Sequence, residues 1–304
     1  MTTITPAERR KAWQTIGLFL AFTITLTAVF GGLMVHQRGT TSILMAAVMW
    51  SPGVSALLTC LLMKRPISGL PWRWGGWGWG WFAWSFPIVY GLAIYLPVWI
   101  YNLGGSSFGN VETLSGWTEQ LLGTSEPNVI ASSAYLVILA TAGMVAAASR
   151  ALGEEIGWRG LLIWEMRKVM PFWAVGLLSG TIWAVWHWPA ILFTDYNAGT
   201  GSFLLQVFIF TMAIMPQGIV YAYVTFRSES LWPAAILHGS HNLFIQRIFT
   251  PLTEKGPESH IFIDEFGIVM PILGCLIALG FYLKARSDGT AEKITTRNEQ
   301  ARAS

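Results

Sequence analysis

Apolar residues run along this chain in stretches about twenty residues long, separated by short segments that carry most of the charge. A bilayer core of about 30 Å takes roughly 20 apolar helical residues to cross, so the pattern predicts membrane helices. Eight segments meet that test: 12–35, 43–63, 80–101, a stretch within 129–163, 172–193, 203–226, 231–249 and 266–283. The fourth is the least sharply bounded. Its helical pattern continues from 129 to 168, about 60 Å at 1.5 Å per residue, which predicts a helix that breaks, tilts or projects beyond the bilayer.

Composition narrows the class. Hydrophobic residues make up 53% of the 304 and charged residues 12%, half the share of about 25% found in soluble domains. Mean hydropathy is +0.50. The net charge of +3 is dispersed, without the basic block that nucleic-acid binding needs. The expected fold is all-α, a polytopic membrane helix bundle of about eight transmembrane helices. It forms a single domain over 12–286, preceded by a polar segment 1–11 and followed by a disordered tail 287–304. The stretch 12–35 is too long for a signal-peptide core and lacks a small-x-small cleavage site, so it is read as the first span.

Lys and Arg cluster in alternate loops. Arg9, Arg10 and Lys11 precede the first span, Lys64, Arg65 and Arg73 follow the second, and Arg167 and Lys168 follow the fourth. Arg227 follows the sixth, and Lys284 and Arg286 the eighth. Arg38 in the first loop and Lys255 near the seventh span are the exceptions. The distribution predicts a cell (plasma or inner) membrane protein with both termini cytoplasmic. Cys60 and Cys275 lie in apolar runs and read as small buried hydrophobes. The tryptophans between Pro71 and Trp84 read as an interfacial belt, and Gly176 and Gly180 as a site of close helix packing.

Ionisable groups within membrane helices are costly and are functional candidates by default. Here they concentrate in three spans: Glu154, Glu155 and Arg159 in the fourth, His187 in the fifth, and His238, His241 and Asn242 in the seventh. Glu155 and Arg159 are four apart, in the order that favours an ion pair. Glu154 is turned about 100° away and has Trp158 as its i+4 neighbour. A carboxylate without a cation, in a medium of low dielectric, is suited to general acid–base work. The fourth and fifth spans turn near Met170-Pro171. Glu154 and His187 each lie about 21 Å from that turn at 1.5 Å per residue, so the two groups are level. Asn242 follows His238 by one turn. Elsewhere, His36 and His260 read as solvated loop residues, and Asp195, Glu229, Asp264 and Glu265 as ordinary charges at span ends.

The motifs Glu154-Glu155-x-x-x-Arg159, Trp183-x-x-x-His187 and His238-x-x-x-Asn242, each on its own span, resemble those of the CPBP family of intramembrane proteases. That family includes the type II CAAX prenyl proteases and bacteriocin-processing-like relatives. The resemblance covers about 135–249, and Trp183 stands where the family more often has Phe. It implies hydrolysis of a peptide bond in a membrane-associated peptide or protein, prenylated CAAX-type tails included. Glu154 and His187 would activate water, His238 and Asn242 would stabilise the oxyanion, and Glu155 with Arg159 would support them. No cofactor is obligatory in this reading. Zn²⁺, held by Glu154, His187 and His238, is the alternative, although the His-Glu-x-x-His zinc helix is absent. The partners implied are the substrate and the lipid bilayer, with no nucleic acid. Two other functions fit the same residues: a non-catalytic protein that binds a membrane partner, as in bacteriocin immunity, and a proton-coupled transporter. The second would be expected to show inverted repeats, and the sequence has none.

Overall fold

The computed structural model describes residues 4–36 and 42–291. Arg38 of the first loop and the tail from 292 onward lie outside the described residues. Nine helices are present among those described: α1 Pro6–His36, α2 Ser42–Leu62, α3 Trp77–Ile100, α4 Val111–Leu122, α5 Val129–Val169, α6 Phe172–Phe193, α7 Phe203–Ser228, α8 over 232–252 and α9 Val269–Ser287. The strands are two residues each, β1 Ser107–Phe108 and β2 Thr253–Glu254, paired antiparallel. The expected all-α membrane bundle is what forms, with seven helices long and apolar enough to cross a bilayer.

The seventh expected span, 231–249, is a helix but is not one of those seven. Segment 232–252 carries His238, Ser240, His241, Asn242, Gln246 and Arg247, which lower its hydropathy. Its polar groups are tolerated because most of the helix is buried in the protein rather than facing lipid. Ser230 starts it by accepting the Trp232 N–H at 3.1 Å, with Pro233 in the first turn.

The long fourth segment neither breaks nor stops. Helix α5 is continuous for 41 residues and changes its winding instead, with π-helical turns at Leu139–Gly143 and Ile156–Leu162. Another π segment, Asn242–Phe249, continues α8. The segment between α3 and α5, expected as a loop, contains α4. Asn110 caps it through Thr113 N at 2.8 Å, and Gly123 ends it at φ 67°. Helix α1 starts before the expected span, at a capping box in which Thr5 and Glu8 bond reciprocally.

Close helix packing sets the frame of the bundle. Helix α6 packs most extensively on α7, where Gly180 lies against the Met215 backbone and Gly218 against the Gly176 carbonyl; this is the contact that the Gly176/Gly180 spacing predicts. Helix α2 lies against α5 in the same way: a Cβ at Gly153 would stand 2.7 Å from the Trp50 ring, and one at Gly157 2.6 Å from Pro52. Helix α8 fits between α5 and α3. The interior of the protein is therefore lined by α5, α6, α7 and α8. Cys60 is buried, whereas Cys275 faces outward from α9, contrary to its expected burial; both are free thiols.

Candidate active site

Glu154 and Glu155 end the α-helical part of α5, immediately before its second π segment. Both are buried, at 1% and 0% exposure. Glu155 Oε1 accepts from Arg159 Nη1 at 2.9 Å and from His238 Nδ1 at 2.9 Å. The local ion pair expected from the i,i+4 spacing is thus present, and the same oxygen also reaches α8. The Arg159 guanidinium lies between the rings of Trp183 and Tyr221, 4.4 and 4.0 Å from their centroids, a favourable place for a buried planar cation. Glu155 Oε2 and the Nε and Nη2 of Arg159 are buried without a hydrogen-bond partner among the described residues.

Among the described residues Glu154 has no salt-bridge partner. Its Oε2 accepts from the indole Nε1 of Trp183 at 2.8 Å, a neutral donor. Trp183 is one turn before His187 on α6, and its carbonyl accepts from His187 Nδ1 at 2.8 Å. The single residue Trp183 therefore sits between the carboxylate and the imidazole. The level of contact is one turn from that expected by counting from Met170-Pro171. Because a carbonyl only accepts, His187 carries its proton on Nδ1 and keeps Nε2 free as an acceptor. Glu154 lies within electrostatic range of both His187 and His238. The rings of Trp183 and His238 meet edge to face at 5.1 Å.

Asn242, one turn beyond His238, opens the π segment of α8. It is half-buried, and its side chain makes no hydrogen bond with the described residues. The structure thus brings Glu154, Glu155, Arg159, Trp183, His187 and His238 into one connected group, with Asn242 at its edge. Among the described residues no three His, Cys, Asp or Glu side chains form a group that could hold a metal ion. Glu154 Oε2 and the Nδ1 atoms of His187 and His238 already have protein partners. The Nε2 atoms of both histidines and Glu154 Oε1 take no part in those bonds.

A second buried polar cluster adjoins the first, and no local spacing of residues signals it. His241 Nε2 donates to Glu265 Oε1 at 2.8 Å, and its Nδ1 pairs with the Tyr90 hydroxyl. Glu265 also accepts from Tyr196 Oη at 2.6 Å and from Gln246 Nε2 at 3.1 Å. Glu265 is 3% exposed; it is not an ordinary charge at a span end, nor is its neighbour. Burial, then the adjacent Glu265 charge, pushes the Asp264 carboxyl up to about 6. Burial opposes ionisation of Glu265 too, but the hydrogen bond and charge of His241, with the bonds from Tyr196 and Gln246, outweigh it and hold that carboxyl at about 2. Asp195 and Glu229 are exposed as expected, and Glu229 pairs with Arg73 at 3.0 Å. His36 is exposed and His260 half-buried.

Comparison with known proteins points to the same part of the chain. Residues 133–244 match the family described as type II CAAX prenyl endopeptidase Rce1-like. That match covers less than half of the chain. The matched segment contains all three motifs, from Glu154 to Asn242, and most of α5 to α8. A protein named CAAX prenyl protease 2 from Methanococcus maripaludis is 27% identical over 94 residues, 30% of this chain. The match spans about a third (34%) of that relative's length. The CPBP-type resemblance of the motifs is therefore supported over residues 133–244, and α1 to α4 and α9 lie outside that match.

Proposed function

We propose that this protein is an intramembrane endopeptidase that hydrolyses a peptide bond with a water activated by Glu154 and His187. The observation that carries this reading is the position of Glu154: a buried carboxylate with a neutral indole as its partner, beside two imidazoles on neighbouring helices. Glu154 takes a proton from water while His187, through its free Nε2, orients the same molecule. The oxygen attacks the scissile carbonyl carbon. His238, held on Nδ1 by Glu155, and Asn242 donate to the resulting oxyanion; in that role the His238 ring carries both protons. Glu154 then returns its proton to the amine nitrogen as the C–N bond breaks. The substrate class is a peptide or protein tail at the membrane, and the name of the archaeal relative favours a prenylated CAAX-type end. The bilayer in question is the plasma or inner membrane, with both chain termini on the cytoplasmic side.

The test is cleavage of prenylated and unprenylated CAAX peptides by purified protein in detergent. Glu154→Gln should abolish turnover and leave the melting temperature within about 2 °C of wild type. Cleavage by that variant at the wild-type rate would overturn the mechanism. Pretreatment with a strong chelator should leave the rate unchanged, whereas loss of activity restored by Zn²⁺ would replace this account with a metal-dependent one.

A further inference from the structure

The cluster centred on Glu265 has no part in the mechanism above, yet it joins both halves of the site. Glu265 comes from the segment between β2 and α9, far from the matched motifs. Its Oε2 is bonded to Tyr196, which lies three residues beyond the end of the His187 helix, α6. Its Oε1 is bonded to His241, which lies between His238 and Asn242 on the opposing helix. Gln246, four residues past Asn242, reaches both oxygens. The Tyr196 ring lies against the His187 ring, with centroids 6.0 Å apart, and both rings contact Phe210, at 6.0 and 5.2 Å. His187 thus has its Nδ1 fixed by Trp183 and one flank supported by a tyrosine that a single carboxylate holds.

We propose that Glu265 is a positioning residue of the active site, setting the orientation of His187 through Tyr196 and that of the His238–Asn242 helix through His241. The assignment rests on the peptidase reading for its kinetic consequence but not for its geometry. Glu265 is buried, accepts three side-chain donors, and lies within electrostatic range of His187. A carboxylate accepts from several donors at once, which an amide with one acceptor oxygen cannot reproduce. Replacing it should therefore release one of the two arms even if the fold holds.

Two measurements test this. In single- and multiple-turnover assays, Glu265→Gln should lower kcat by roughly 10- to 100-fold with KM within about twofold of wild type, the mark of a misplaced reacting group. Tyr196→Phe keeps the ring against His187 and loses only the hydroxyl bond; it should show a smaller loss of the same kind, and the double variant should be no slower than Glu265→Gln alone. If Glu265→Gln does not fold, Tyr196→Phe carries the test by itself. The second readout needs no activity: ¹⁵N spectra of histidine-labelled protein, with His187 assigned through His187→Gln. Glu265→Gln, or Tyr196→Phe in its place, should move the His187 ring resonances. An unmoved His187 signal, or a variant that melts earlier but keeps the wild-type kcat, would overturn the proposal. If wild type cleaves nothing, the peptidase reading falls and the spectra still decide whether Glu265 positions His187.

Discussion

Glu155 places both of its ionic partners on one oxygen, Arg159 from its own helix and His238 from α8. Glu155→Gln would leave the buried guanidinium without its counter-charge, and breaking such a pair costs about 3–5 kcal/mol. The expected outcome is a clearly lower melting temperature, with turnover also reduced because His238 loses its anchor. The contrast with Glu154→Gln in paired melts and rate assays checks this division. Asp264 gives a pH signature. Its carboxyl titrates near 6 in the fold against an ordinary 3.8, so the folded state disfavours the charged form. Its contribution is therefore full below about 3.8 and is lost as pH rises through 6. Glu265 works in the other direction, contributing above its ordinary 4.5 and failing as pH falls through about 2. Asp264→Asn should melt higher than wild type at pH 7 and converge with it near pH 4. Asn also suits the left-handed backbone there, φ 68°. The Glu155–Arg159 pair was legible in the sequence because four residues on one helix define a face. His238–Glu155 and His241–Glu265 were not, since contacts across 83 and 24 residues leave no local spacing to read.

At the scale of elements, the glycines next to the glutamates govern how near α2 comes to α5. Gly153→Ala would force a Cβ to within 2.7 Å of Trp50, an overpacking that costs about 1–3 kcal/mol. The melting temperature should fall, and Glu154 should shift with its helix, lowering turnover. Gly17 in α1 has no neighbour within 4 Å of the same added atom; Gly17→Ala should hold or raise stability, by up to about 1 kcal/mol. Thermal melts of the two variants provide the comparison. The length of α5 could be read from its apolar pattern, but its continuity could not, because hydrophobic periodicity does not separate a π turn from a break. Two of the π segments begin beside site residues, at Ile156 after Glu155 and at Asn242 itself. Local widening of a helix is frequent at functional sites, and here the π segment at Ile156 directly follows the Glu154-Glu155 pair.

For the molecule as a whole, the membrane bundle was the most legible feature, since it follows from composition and segment length. The helix that carries His238 and Asn242 was the exception, because its polar face is compensated only by neighbours distant in the chain. This has a bearing on biogenesis. A segment too polar to enter lipid unaided gains little from lateral partitioning at the translocon, and α8 is stable in the membrane only once α5 and α3 can enclose it. In a host-protein insertion assay, 232–252 alone should integrate poorly, and the same segment preceded by α7 should integrate far better. Assembly of the helix that carries His238 and Asn242 would then be among the last steps of maturation, so the candidate site would be complete only after the other helices had met.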